Sequence, residues 1–390
     1  MSGRAAYAPT LLAVLLLAAC DPPSTPSEPP GALTVLERAI TGAQAITAGE
    51  NHSCAIKPDR TVVCWGRNKE SQLGNGLAGN RSTPVKVIGL AGAVSIAAGR
   101  FHTCAILADG TGRCWGSNSS GQLGTGSGAS SGTPAMVKGL SGAVQVSVGA
   151  YHSCARLGNG TVKCWGFNQY GMLGNGSTVN SDTPVAVSGL GGVADLGVGW
   201  FHSCAVRTDG TARCWGRGSS GELGNGSTNR STPVPVSGLT GAVAIAGGGS
   251  HTCVRRTDGS ARCWGNNLSG QLGNGSTSNS LVPVPVSGVT NVAAITAGAG
   301  HSCAVLTSGA ERCWGTGIFG QLGDGATASR NKPVAVSGVS GGSRIDGGGN
   351  HTCTLLANGT ARCWGYNGSG QVGDGTLTSR STAVAVANYP

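Results

Sequence analysis

The sequence predicts an all-β protein, a closed β-propeller of seven repeated units, on three observations. The first is composition. The 390 residues include 70 glycines, while charged residues are 11% and aromatics 4%. Glycine costs ~1 kcal/mol per helix position against alanine, which excludes a helical domain. Glycine does not recur every third residue, so the chain is no collagen. It is interspersed with Val, Ala, Cys and Trp, so the chain is not plain low-complexity disorder. So little charge also excludes a coiled coil. The second observation is a repeat. The histidines fall in one frame, at His52, His102, His152, His202, His251, His301 and His351. A period of this size indicates a solenoid or a propeller. The third is that the two ends of the pattern are complementary, which favours a ring over an open solenoid.

In chain order, residues 1–19 read as an export signal. A basic start with Arg4 precedes an apolar run, Leu11 to Ala19, that is too short to span a bilayer. Leu17-Ala18-Ala19-Cys20 resembles the lipobox of bacterial lipoproteins, which implies lipidation of Cys20 after cleavage. The alternative is an ordinary signal cut after Ala19, leaving Cys20 free. Residues 20–40 are rich in proline and read as a semi-rigid extended tether. Residues 41–390 carry the repeats.

Each unit has the same grammar. Around one repeat, Pro283-Val284-Pro285-Val286 is followed by Val292-Ala293-Ala294-Ile295-Thr296-Ala297. Then come His301-Ser302-Cys303-Ala304-Val305-Leu306, a turn at Ser308-Gly309, and Glu311-Arg312-Cys313-Trp314-Gly315. These are four short strands bounded by turn residues, as in a propeller blade. The pattern opens in mid-unit at Ala43-Gln44-Ala45-Ile46 and closes on a surplus strand, Ala383-Val384-Ala385-Val386. The last strand is therefore expected to complete the first blade.

The unit, with Gly121-Gln122-Leu123-Gly124 and Gly270-Gln271-Leu272-Gly273 as its hallmark, resembles the repeat of the regulator of chromosome condensation family. The resemblance covers residues 41–390 and implies a seven-bladed propeller. Kelch repeats fit worse, because their paired glycines and spaced Tyr and Trp are not present in this order. The family's functions are diverse. Members include a nucleotide-exchange factor for a small GTPase, a photoreceptor and a secreted β-lactamase inhibitor, so the resemblance speaks to fold more than to function.

Apart from Cys20, the cysteines form seven pairs: Cys54 with Cys64, Cys104 with Cys114, Cys154 with Cys164, Cys204 with Cys214, Cys253 with Cys263, Cys303 with Cys313 and Cys353 with Cys363. In an exported chain disulfides are the default. A three-residue hairpin loop with Gly210 in the left-handed position places Cys204 opposite Cys214, whereas a two-residue turn places it opposite Trp215. The His-x-Cys pattern with a second Cys offers zinc-type ligands, but the ten-residue spacing suits zinc poorly. No metal and no cofactor are expected. The repeated histidines are read as structural and the repeated tryptophans as core between blades.

No phosphate loop, HExxH or Gly-x-Ser-x-Gly elbow stands out, and no histidine is singled out from its equivalents. Catalysis is not indicated, although carboxylates converging across the ring would escape a sequence reading. Function is sought in departures from the repeat. Aromatics occupy two variable loop positions. Phe101, Tyr151, Trp200 and Phe201 precede the histidine, the first of them next to Arg100. Phe167, Tyr170, Phe319 and Tyr366 follow Trp-Gly. Tyr389 stands apart. Core aromatics would recur in every unit, and these do not. Two readings stay open, a binding surface on variable loops and loops folded back over the core.

The formal charge is +10. Arg113, Lys163, Arg213, Arg262, Arg312 and Arg362 precede the second cysteine of their units. They read either as a basic ring for an acidic partner, lipid headgroup or envelope polymer, or as a solvated strand position. The expectation is a monomeric, non-catalytic scaffold, lipid-anchored in the bacterial cell envelope, that binds a protein or polymer there or outside the cell. Nucleic acid is not an expected partner. The alternative is an inhibitor that caps an extracytoplasmic enzyme. Guanine-nucleotide exchange, by family analogy, is disfavoured by the export signal.

Overall fold

The computed structural model describes residues 1–3 and 45–388. Residues 4–19 of the signal segment, Cys20, the proline-rich tether and Tyr389 lie outside the described residues. Twenty-eight strands and no helix occur among the described residues, in seven four-stranded antiparallel sheets. Blade 1 holds Ala45–Ala48, His52–Ile56, Val62–Gly66 and Arg81–Lys86. Blades 2 to 7 repeat it at 93–136, 143–186, 193–235, 242–285, 292–335 and 342–385.

The hairpin register follows from the turn. In blade 4, Arg207 N donates to Thr211 O (2.8 Å) and Gly210 N to Arg207 O (2.9 Å), leaving a three-residue loop with Gly210 at φ +75°. Asp209 Oδ1 accepts from Thr211 N (3.0 Å) and Thr211 Oγ1 (2.6 Å), which sets the bend. Cys204 therefore faces Cys214, and all seven blades carry the expected disulfide, with Cα–Cα 4.0 to 4.1 Å. In blade 1 the left-handed position is held by Arg60, at φ 61°. L-residues are strained there, and glycine is not. Arg60→Gly should raise stability by roughly 0.5 kcal/mol, the relieved strain less the added chain entropy, as a higher urea midpoint. A lower midpoint would refute this account of the turn.

Ring closure corrects the sequence expectation. Arg380–Ala385 pairs within blade 7, with Cys363 opposite Val384. Blade 1 takes Arg81–Lys86 as its own fourth strand, with Cys64 opposite Val85. The cause is the loop between third and fourth strands, which the Asn68 carboxamide folds back on itself. It accepts from Leu73 N (3.0 Å) and donates to Leu77 O (2.6 Å), while Asn68 N donates to the Asn80 side chain (3.0 Å). The chain thus returns to the free edge of its own third strand. The proline of this strand, such as Pro84 or Pro283, sits on an outer edge where its missing N–H costs nothing.

The ring is closed by side chains, by the same contacts at every joint. Trp115 Nε1 donates to Gln72 O of the preceding blade (2.9 Å), and across the closing joint Trp65 Nε1 donates to Gln371 O (2.9 Å). The seven tryptophans are fully buried, as expected. One apolar wedge fills each joint. Between blades 3 and 4 it joins Cys154, Cys164 and Leu173 to Val193, Leu196, Ala205 and Trp215.

The histidines form a cyclic array. His52 Nε2 meets Thr103 Oγ1 of the next blade (2.8 Å), and the pattern runs round to His351 and Ser53 Oγ (2.8 Å). Each hydroxyl donates to a backbone carbonyl, as Thr103 Oγ1 does to Gln72 O (2.9 Å). It must therefore accept from the imidazole, so Nε2 carries the proton. Nδ1 has no hydrogen-bond partner in any of the seven. Burial is the main cause that pulls His301 down to about 4 and the other six to about 3.

Candidate functional site

The loop between first and second strands is built on a glycine. Gly199 N donates to His202 O (2.9 Å), and a Cβ on Gly199 would run into the His202 ring and the Gly248 carbonyl of the next blade. The next residue bonds to the neighbouring blade. Glu50 N donates to Gly99 O (3.1 Å), and Trp200 N to Gly248 O (3.1 Å). These loops therefore follow one another around the central channel mouth. The second variable position is tied to the first, since Phe167 N donates to Tyr151 O (2.9 Å) and Arg217 N to Phe201 O (2.8 Å). Both variable positions thus lie on one face of the propeller.

On blades 2 to 4 the side chains at these positions meet. Ring centroids of Tyr151 lie 5.7 Å from Phe101, 6.1 Å from Phe167 and 6.3 Å from Phe201. Tyr170 lies 6.4 Å from Phe167 and 5.8 Å from Phe201. The Arg100 guanidinium is 4.9 Å from the Phe101 ring centre, 5.8 Å from Tyr151 and 5.7 Å from Trp200. Its position is fixed by Glu50 (2.6 Å) and by the Tyr151 hydroxyl (3.2 Å). Every one of these side chains is half-buried, so the rings cover one another and still reach solvent. Phe319 and Tyr366 form a separate pair on blades 6 and 7, with centroids 5.2 Å apart.

Sequence reasoning missed two further arginines. Arg67 lies over Phe101 (5.5 Å) and Arg217 over Phe201 (5.9 Å). Each is held by a glutamate, Arg67 by Glu70 (2.7 Å) and Arg217 by Glu222 (3.3 Å). The signal was present, because both occupy the slot after Trp-Gly that Phe167 fills in blade 3. Arginine planes stack on aromatic faces, and the glutamates hold them there.

The channel is a cavity of about 250 Å³ walled by the first strands, mostly by Gly, Ala, Ser and Thr. Three carboxylates line it, and one of them, Glu50, is paired with Arg100 (2.6 Å). Asp195 accepts from Gln145 Nε2 (2.8 Å) and Ile245 N (2.9 Å). Asp346 accepts from Thr296 Oγ1 (2.9 Å), Gly347 N (3.1 Å), Thr47 Oγ1 (3.0 Å) and Ala48 N (2.9 Å). Desolvation raises the Asp346 pKa, and these hydrogen bonds oppose the rise. Thr47, Ser95, Ser147 and Thr296 do the same work, bonding the next blade's N–H (3.0 to 3.2 Å). These side chains seal the exposed inner edge of the neighbouring strand. Only between blades 5 and 6 do alanines, Ala244 and Ala246, stand at these positions. Among the described residues, no three His, Cys, Asp or Glu side chains converge as a metal site.

Comparison with known proteins agrees with this architecture. The RCC1-like domain model matches residues 22–254. Models of the regulator of chromosome condensation (RCC1) repeat match 258–305 and 313–355, and 242–271 and 343–371. No curated protein sequence matches. Among solved structures, human WBSCR16 is 25% identical with a TM-score of 0.73, over 81% of this chain and 88% of that one. Yeast RCC1 (Prp20), solved bound to Kap60, is 21% identical with a TM-score of 0.79, over 95% and 90%. The CRINKLY WD40 ectodomain of the Arabidopsis thaliana receptor kinase ACR4 is 18% identical with a TM-score of 0.53, over 89% and 98%. The last two likenesses bear on fold alone. With one family model covering more than half of the chain and the repeat models continuing to residue 371, the chain belongs to the regulator of chromosome condensation repeat family.

Proposed function

We propose that this chain is an exported, monomeric, non-catalytic binding protein, anchored at the cell envelope through Cys20, and that the aromatic and arginine surface of blades 2 to 4 contacts a protein or polymer partner. The observation that carries the reading is the local character of that surface. The same loop slots hold Asn51, Ser250, Gly300 and Asn350 in the other blades, so the rings are not needed to build the fold. Tyr, Trp and Arg dominate the energetics of binding surfaces, and here they are held rigid by the scaffold before a partner arrives. The seven disulfides support a compartment outside the reducing cytosol. No helix among the described residues is long and apolar enough to cross a membrane. Asp195 and Asp346 are engaged in sealing the ring and Glu50 in holding Arg100, which leaves no channel carboxylate poised as a general base.

The test is cross-linking and pull-down from intact cells. The unmodified chain should capture a discrete partner. Combined Phe101→Ala, Tyr151→Ala, Trp200→Ala and Phe201→Ala should weaken that capture by at least about tenfold while the urea midpoint stays close to that of the parent. Unchanged capture would remove this face from the account. A captured hydrolase silenced in a one-to-one complex would instead make the chain an inhibitor.

A further inference from the structure

We infer that the opposite face of the propeller docks on an anionic phospholipid surface. That face holds the turns between second and third strands and the links from one blade to the next. Ala93 N bonds Arg60 O (3.1 Å) and Ala143 N bonds Gly110 O (3.0 Å), which places turns and links side by side. The six third-strand bases, Arg113 and its equivalents, stand at the same end of each sheet. Lys163 and Arg213, for example, pair with Ala186 and Pro235, the last residues of their fourth strands. Lys57, Arg60, Lys86 and Lys138 join them from turns, links and a strand end.

The charge on this face is only partly offset by the carboxylates of its turns. None of these ten bases forms an ion pair among the described residues. The acids present fold into their own turns, as Asp59, Asp109, Asp209 and Asp258 do with Thr61, Thr111, Thr211 and Ser260. Two of them also neutralise Arg207 (2.6 Å) and Arg256 (2.7 Å). The aromatic face contrasts with this, since its Arg67, Arg100 and Arg217 are each paired with a glutamate. The bases without an acid partner among the described residues therefore concentrate on this side of the disc.

The chain's course selects a membrane as the occupant. The first strand begins at this same face, with Ala45 opposite Ile56. The chain leading from Cys20 joins the propeller there. A lipid on Cys20 would bring the chain to a bilayer, and a propeller docked on it by the basic face would turn its aromatic face away, toward a partner. Bases near an anionic leaflet contribute about 1 kcal/mol each, and the attraction is screened within a Debye length. The choice of a membrane rests on the proposed anchor, whereas the charge distribution does not.

The experiment uses the full exported chain carrying Cys20→Ser, so that no lipid is attached. It should bind phosphatidylglycerol-rich vesicles at least about tenfold more tightly than phosphatidylcholine vesicles, and high salt should release it. Joint Lys57→Glu, Lys86→Glu, Lys138→Glu and Lys163→Glu should abolish that preference. Lys69→Glu with Lys332→Glu, at the other ends of their blades, should leave it within about threefold. Equal binding to both vesicles, or an equal loss in the control pair, overturns the docking face. The anchor is read separately. The unmodified chain should stay on cell membranes in high salt, and its release there would refute lipidation without touching the vesicle result.

Discussion

Moving from pH 7.5 to pH 5 should cost the propeller on the order of 10 kcal/mol of stability, enough to unfold a typical domain. The cause is the histidine array. All seven imidazoles are buried and neutral, and burial lowers them from 6.5 to about 3, or about 4 for His301. Their Nε2 protons are committed to the next blade, and no acceptor waits for a second proton at Nδ1. In the unfolded chain they titrate near their ordinary value. A base whose folded pKa lies below its unfolded one leaves the folded state poorer in protons. The stability is therefore intact above about pH 6.5 and is lost progressively as pH falls toward 3. Each site contributes about 1.4 kcal/mol per pH unit within that window.

Three acids oppose this. Desolvation raises Glu222, Asp346 and Glu311, the last to about 7, so the folded state gains stability as each is protonated. Seven sites against three leaves a net loss. Urea unfolding at the two pH values checks the sum. A difference under about 2 kcal/mol would mean that the imidazoles are not neutral and desolvated in the folded ring. His202→Gln isolates one member. Its amide can still donate to Thr252, and the number of protons taken up on unfolding near pH 5 should fall by about one.

The same array explains why the fold was so legible in sequence. His, Cys and Trp of one blade each make a contact that the next blade repeats, so the constraint is printed seven times at one spacing. The hairpin register was legible because Asp-Gly turn chemistry and loop length determine which cysteine faces which. Ring closure was not. The fourth strand could complete either its own blade or the next one, and strand pattern is silent on the choice. The choice is made in the Asn68 loop, whose hydrogen bonds fold the chain back to its own sheet. The candidate surface was half legible. Phe101, Tyr151 and Phe201 stood out as departures, yet they lie some fifty residues apart and touch only because successive blades are neighbours. Arg67 and Arg217 hold the slot that Phe167 fills in blade 3, and only the rings beneath them mark them as part of the surface.

Reduction should be as damaging as acid. Each disulfide closes an eleven-residue loop, which removes about 3 kcal/mol of chain entropy from the unfolded state. The seven loops share no residues, so their effects on the unfolded chain add, to roughly 20 kcal/mol before any native strain is subtracted. That is comparable to the whole stability of many domains. The fully reduced chain should not hold the ring at 37 °C, and its near-ultraviolet tryptophan signal should collapse. A reduced chain that melts within a few degrees of the oxidised one would show that the wedges between blades suffice alone. Access is a separate matter. The paired cysteines are buried, to 1% exposure or less, beneath the tryptophans of the adjoining blades, so a reductant must wait for a joint to open. Opening is resisted at pH 7.5 by the neutral histidine contacts and is favoured at pH 5. A phosphine reductant, which works at both values, should therefore cleave the staples at least about tenfold faster at pH 5. Equal rates would uncouple the two arrays. Faster cleavage at pH 5 would show that the imidazoles guard the disulfides, and that the ring fails at its joints before its hairpins.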